Sequence, residues 1–178
     1  MKLENSDFPE IRVVQNSVFV DPRGQIAKFD LPESEVFNSI LVSSNNLAGT
    51  VRGLHFQQPP FGEVKFVTCT KGEIMDYALD VRKNSPTFGK WTQYFLSSKN
   101  SCGIIIPNGF AHGFQTLLPE TEVLYAVAGD FNSSLAITVN MNDPDLAIGL
   151  PMEVSVISDK DKAGISLSQL SNMRIDWN

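Results

Sequence analysis

The chain has little of what most catalytic and binding machinery is built from. Among 178 residues there are two histidines and two cysteines, and 14 basic residues stand against 20 acidic ones. The formal charge of −6 argues against nucleic acid as a main partner, because binding a phosphate backbone calls for a basic surface. A small phosphorylated ligand needs only a local cationic pocket and stays open. Cys69 and Cys102 are too far apart in sequence for a CxxC unit, and a disulfide between them is allowed but not demanded. No stretch approaches the roughly 20 apolar residues of a membrane helix. The start, "MKLENSDFPE", lacks the apolar run of a signal peptide. These absences together lead us to expect a reduced, cytoplasmic, soluble protein with no membrane partner. Also missing are a G-x-x-x-x-G-K-[ST] loop and a G-x-G-x-x-G turn, which argues against an NAD or ATP fold, and a G-x-S-x-G nucleophile elbow.

What is present is a series of short apolar runs broken by turn residues. Hydrophobic residues make up 42% of the chain, enough for a proper core in one domain spanning residues 1–178. "RVVQNSVFV" reads as a strand, "DPRGQ" as a turn and "QIAKFD" as a second short strand. "EVKFVTCT" alternates, with Val64, Phe66 and Thr68 on one face and Lys65, Val67 and Cys69 on the other. "EIMDYALDV" is apolar on both faces, which predicts a strand covered on both sides and puts Asp76 beside Ile74 and Ala78. Roughly ten strands at a spacing of about 8–12 residues indicate an all-β sandwich or barrel. Helix signals are confined to "PESEVFNSI" and "SDKDKAGISLSQL".

Both histidines lie in glycine- and aromatic-rich segments: His55 in "TVRGLHFQ" and His112 in "IPNGFAHGFQ". A metal site of the cupin type needs an H-x-H pair, and the position two after His55 is Gln57, which argues against a metal. Neither cysteine has an adjacent histidine, and Cys69 on its apolar strand reads as a small core residue. General acid–base work by a histidine remains, since imidazole suits proton transfer near neutral pH. Such a base needs an orienting carboxylate, a cation for the developing anion, and an acid on the opposite face. Arg52 precedes His55 by three, so unbroken alternation would send the two to opposite faces, unless Gly53 permits a bulge. Lys65 and Asp76 are charges inside apolar strands, expensive unless each has a partner or a ligand. Tyr125 lies mid-strand in "EVLYAVA". On residues alone the reading is a β-sandwich with an acid–base pocket still to be distinguished from packed histidines, a core tyrosine and a snorkelling lysine.

Taken together, "DPRG" (21–24), "VRGLHFQ" (51–57), "EVKFVTCTKGEIMDYALDVRKNSPTFGKW" (63–91), "LSSKN" (96–100), "IPNGFAHGFQTL" (106–117), "EVLYAVAGDF" (122–131), "MNDPDLAIGLP" (141–151) and "ISDKDKAG" (157–164) resemble the dTDP-4-dehydrorhamnose 3,5-epimerase family of sugar-nucleotide epimerases. The resemblance implies an all-β, cupin-like double-stranded β-helix or jelly roll with short helices near the ends. It further implies a homodimer and a site without metal or other cofactor, and a place in nucleotide-sugar and cell-surface polysaccharide biosynthesis. It implies an isomerase acting on a nucleoside-diphosphate 4-keto-6-deoxy sugar, whose keto group acidifies C3–H and C5–H. By match, His55 is the base and Asp161 its dyad aspartate, with Asp159 the neighbouring competitor. Tyr125 is the acid and Lys65 the stabiliser of the enolate. Arg52, His112 and Gln57 contact substrate, and Arg23 helps bind the nucleotide across the dimer.

Three substitutions depart from the family pattern. Lys28 takes the place of a glutamate, Val42 lies near an expected asparagine, and Phe131 replaces a second tyrosine. Lys28 and Phe131 thus count among substrate-contacting positions, and the sugar, the nucleotide and the inverted carbons stay open. An epimerase of C3 alone or C5 alone is one alternative. A 3,4-ketoisomerase on the same scaffold is another, disfavoured because Phe56-Gln57 offers no second histidine. A non-catalytic sugar-nucleotide-binding cupin would require loss of base, acid or dyad, and none is missing.

Overall fold

The computed structural model describes residues 8–175 and residue 177. The first seven residues of the stretch read as lacking a signal peptide lie outside the described residues. In chain order the strands are β1 (Arg12–Gln15), β2 (Ser17–Asp21), β3 (Gly24–Lys28), β4 (Ser39–Asn45), β5 (Thr50–Gln57), β6 (Val64–Lys71), β7 (Glu73–Asp80), β8 (Trp91–Ser97), β9 (Cys102–Ile106), β10 (Phe110–Thr116), β11 (Thr121–Ala128), β12 (Ala136–Thr138) and β13 (Val156–Ile157). Two short helices follow, α1 (Asp159–Lys162) and α2 (Leu167–Asn172). One sheet runs β1-β9-β6-β11-β4; the other runs β12-β5-β10-β7-β8, with β13 added in parallel to β5. Among the described residues, the hairpin β2-β3 pairs only with itself. This is the all-β, cupin-like architecture.

Alternation along the strands sorts three apolar layers. Between the sheets, Val67, Cys69, Ile104, Ile106 and Val123 of the first pack against Ile74, Ala78, Tyr94, Leu96, Phe110 and Phe114 of the second. Behind the second sheet, Leu54, Tyr77, Leu79 and Ala111 meet Val139, Met141, Leu146 and Leu170. Each fully buried leucine there is worth about 2 kcal/mol. β7 is accordingly covered on both faces, with Asp76 and Ala78 turned inward and Tyr77 and Leu79 outward. α2 has six residues, too few to hold by itself. A reciprocal cap between Ser166 and Gln169 and the burial of Leu170 hold it in place.

Two local expectations are corrected. "PESEVFNSI" is not a helix but a turn closed by the Glu35 N–H donating to the Pro32 carbonyl, followed by the start of β4. Leu31 and Phe37 both pack with Phe29 on the outer face of the first sheet. Six positions apart, they would point about 120° away from each other on a helix, whereas an irregular strap brings both down. The helices therefore stand only at the C-terminal end of the described residues. "RVVQNSVFV" divides at Asn16 into β1, which pairs with β9, and β2, which pairs with β3.

Candidate active site

A cavity of about 540 Å³ opens between the sheets. Its polar wall comes from both. β5 and β10 contribute Arg52, His55 and His112; β6, β11 and the approach to β6 contribute Glu63, Lys65 and Tyr125; Lys160 comes from α1. Leu41, Val127, Phe131 and Ile137 supply apolar surface. The lining thus holds the cations Arg52, Lys65 and Lys160 against the single carboxylate of Glu63. A chain of net charge −6 concentrates positive charge here, which suits an anionic ligand.

Local strand geometry explains how these groups converge. His55 is opposite His112, and Arg52 is opposite Phe114, with a register shift between the two pairs. The shift falls at Gly53, whose φ of +104° favours glycine. It puts Arg52 and His55 on one face despite their odd spacing. A Cβ on Gly53 would lie 2.6 Å from both the Gly113 Cα and the His112 carbonyl oxygen, so no other residue fits there without a shift. On β6 and β11, Lys65 pairs with Val127 and Val67 with Tyr125, so simple alternation carries both the lysine and the tyrosine inward.

The carboxylate at His55 is Asp161. Its Oδ1 lies 2.6 Å from His55 Nε2, and its Oδ2 accepts the Gly53 N–H at 3.1 Å. Ser158 caps α1 by accepting from the Asp161 N–H. Asp159 is exposed and faces Lys162 instead. Burial pushes the Asp161 carboxyl up, but the bonds from His55, Gly53 and Ser158 outweigh it and leave its pKa below the usual carboxylate range.

A second pair lies deeper. His112 Nε2 is 2.7 Å from Asp76 Oδ2, both side chains buried, while Asp76 Oδ1 has no partner among the described residues. Burial raises the Asp76 pKa, and the charge and hydrogen bond of His112 offset only part of that. The His112 ring meets Tyr125 edge-on with centroids 5.7 Å apart. Burial and the Asp76 charge hold the Tyr125 phenol well above its ordinary pKa, with Arg52 pulling weakly the other way. Lys65 is not free in its apolar strand: its Nζ donates to Glu63 Oε2 at 2.8 Å. Arg52 Nε donates to Asn45 Oδ1 at 2.8 Å, and Asn45 is itself buried and tied to the Thr121 carbonyl.

The structure does not bring every candidate to this cavity. Arg23 sits in the exposed β2-β3 hairpin, hydrogen-bonded to Asp21, beside a separate groove of about 260 Å³. Lys28, on the same hairpin, pairs with Asp30 at 2.6 Å. Phe131 stands at the cavity with 71% of its surface exposed. Gln57 lines the cavity, but its amide is engaged by backbone groups of the chain itself. Sequence reasoning missed Glu63, Lys160 and Asn45. Glu63, two before Lys65, was accessible by alternation, and Lys160 by adjacency to Asp161; Asn45 carries no local signal. Cys69 is buried in the core, its thiol pushed up to about 11 by burial, and neither cysteine is in a disulfide. Among the described residues, no group of three or more His, Cys, Asp and Glu side chains is placed to hold a metal.

A family model described as dTDP-4-dehydrorhamnose 3,5-epimerase matches residues 5–169. The chain belongs to that family. The dTDP-4-dehydrorhamnose 3,5-epimerase of Sinorhizobium fredii is 36% identical over 96% of this chain and 91% of its own length. The Shigella flexneri protein of that name is 33% identical over 92% and 94%. Among crystal structures, the Bacillus anthracis epimerase with TDP and PPi bound superposes with a TM-score of 0.86 at 35% identity, covering 93% of this chain and 98% of the other. The Legionella pneumophila enzyme in complex with dTDP-4-keto-L-rhamnose gives 0.85 at 29% identity, covering 93% and 94%. The epimerase family is of the isomerase class, and its solved members share this cupin-like fold.

Proposed function

We propose that this chain epimerises a dTDP-linked 4-keto-6-deoxy sugar in the cavity between the sheets. The observation that carries the reading is the His55–Asp161 pair, with His55 on one sheet facing a cavity whose other wall presents Tyr125 and Lys65. His55 takes the proton from the carbon next to the keto group, and the C–H electron pair moves into an enolate whose oxygen Lys65 stabilises. Tyr125 delivers its proton to that carbon from the opposite face. Exchange of His55 and Tyr125 with solvent resets both groups. Arg52, Lys160 and His112 bind the anionic and polar parts of the substrate. No cofactor enters this scheme.

The whole chain acts as one domain, and a second copy completes it. The hairpin β2-β3 exposes Phe19, Val20 and Ile26, and edge strand β4 exposes Ile40, Leu41 and Val42. Such apolar surface suits a homodimer, in which Arg23 and Lys28 reach the partner's nucleotide site. The unpaired cysteines fit a cytoplasmic enzyme of nucleotide-sugar and surface-polysaccharide synthesis. Among the described residues no helix is long and apolar enough to cross a membrane.

NMR in D₂O on a panel of nucleoside-diphosphate 4-keto sugars tests the reading. Deuterium is expected at C3, C5 or both with no metal added. A panel without incorporation would overturn the enzyme assignment, and incorporation at one carbon alone would redefine it as a mono-epimerase.

A further inference from the structure

Gln57 closes β5 and is almost fully buried. Its Nε2 donates to the Phe61 carbonyl at 2.8 Å and to the Asp130 carbonyl at 3.1 Å, while its Oε1 accepts the Asn132 N–H at 2.5 Å. Both amide protons are therefore spent, and the side chain has none left for a ligand. The two bonds to the loop after β11 land on the residues that flank Phe131. That loop is tied down further by Asn132 Oδ1, which accepts from the Ser134 N–H and hydroxyl, and by Gln58 N–H donating to the Leu135 carbonyl. The backbone on either side of Phe131 is fixed, yet the ring itself is exposed and lines the cavity that His55 also lines.

We propose that Gln57 is a positioning residue: it clamps the Asp130–Phe131–Asn132 backbone so that the Phe131 ring is held over the cavity mouth to cover the bound nucleotide sugar. A ring fixed before binding loses little freedom when the ligand arrives, and that saving appears as affinity. The inference rests on the substrate reading above for what Phe131 covers, but the clamp itself rests on the three hydrogen bonds alone.

The test compares the full-length wild type with Gln57→Leu, Gln57→Glu, Phe131→Ala and the Gln57→Leu/Phe131→Ala double variant. Leucine keeps the bulk without the hydrogen bonds; glutamate keeps the acceptor for Asn132 and loses both donations. KM for the active substrate is expected to rise about fivefold to tenfold in Gln57→Leu and in Phe131→Ala, with kcat held within about twofold. Gln57→Glu shifts KM in the same direction. The double variant is expected to be no worse than Phe131→Ala, because a clamp has nothing to act on once the ring is gone. Amide exchange at Asn132 should lose protection in Gln57→Leu while β5 and β10 keep theirs. Multiplying KM effects, a fall in kcat at unchanged KM, or an Asn132 amide still protected in Gln57→Leu would each overturn the clamp. Should Gln57→Leu not fold, the kinetics of Gln57→Glu decide in its place: an unchanged KM there would overturn the clamp. A wild type that turned over no nucleotide sugar would instead overturn the substrate reading and the covering role of the ring, while the Asn132 exchange still judged the clamp.

Discussion

His55 and Asp161 are separated by 106 positions in the chain and by 2.6 Å between Nε2 and Oδ1. The aspartate arrives on a four-residue helix that could not stand alone. It is held by the Ser158 cap and by the Gly53 N–H, which belongs to the same bulge that turns His55 inward. One backbone irregularity thus serves both members of the pair. Asp161→Asn keeps the size of the side chain but removes the charge that would stabilise an imidazolium. Turnover is expected to fall about 100-fold, and His55→Ala about 1,000-fold or more, with deuterium exchange lost at every carbon the enzyme acts on. Exchange surviving in His55→Ala would show a second base.

Tyr125 faces the same cavity from the other sheet, and burial holds its phenol protonated beyond its ordinary range near pH 10. Removing the hydroxyl leaves deprotonation by His55 intact but removes the proton donor on the far side. Tyr125→Phe is therefore expected to retain wash-in of deuterium while inversion falls at least about 100-fold, read by NMR of the sugar. Because the phenol stays protonated, the wild type is expected to show no alkaline loss of inversion traceable to Tyr125 up to pH about 10. An inversion rate that declined with pH while exchange held steady below that limit would contradict this.

How far the sequence told these features apart depends on the range of the interactions. Lys65, Tyr125 and Asp76 could be placed inward by alternation, because period two is a local property of a strand. Arg52 with His55 needed the bulge, which Gly53 allows but does not announce. Asp161 was reachable only through family likeness, since its partner is a strand distant in the chain and its own helix is too short to leave a periodic trace. Arg23 and Lys28 lie on a hairpin outside both sheets, so no strand pairing among the described residues relates them to the cavity. The segment 32–40 carries a short-helix signal, with Asp30 near its start, but nothing in it announces the sheet surface that Leu31 and Phe37 cover. The resemblance implies Gln57 as a substrate contact; that both its protons are consumed depends on the Phe61 carbonyl nearby and on the Asp130 carbonyl in a loop more than 70 positions away.

The acid limb of stability follows from buried carboxylates. Asp80 is fully buried; burial pushes its pKa up, but Arg82, Ser85 and Thr87 donate to it and bring the net value below the ordinary one. Asp161 is shifted in the same direction. A carboxylate with a depressed folded-state pKa adds stability that is complete above its unfolded value and is lost as pH falls through the folded one. Urea unfolding is expected to show a steady loss of stability below about pH 4. Asp80→Asn should be less stable than wild type at pH 7 and show a shallower acid limb, because one of the depressed carboxylates is gone. An equally steep limb in the variant would assign the acid loss elsewhere.

Gly53 is the position where the smallest change should do the most damage. Its φ of +104° is costly for any residue with a Cβ, and that Cβ would sit 2.6 Å from backbone atoms of β10 on the neighbouring strand. Neither contact can give way by a side-chain rotation. β5 must shift away from β10, or the bulge must flatten and turn His55 or Arg52 off the cavity face. Gly53→Ala is expected to cost about 2–3 kcal/mol, which for a chain of this size lowers Tm by roughly 5–10 °C. The loss of activity should exceed what that destabilisation explains at a temperature where the variant is still folded, because the Gly53 N–H also holds Asp161 Oδ2. Gly24 provides the contrast: its φ is +133° but a Cβ there meets nothing within 4 Å, so Gly24→Ala carries the conformational cost without the clash. A Gly53→Ala variant as stable and as active as Gly24→Ala would show that the bulge does not hold the pair.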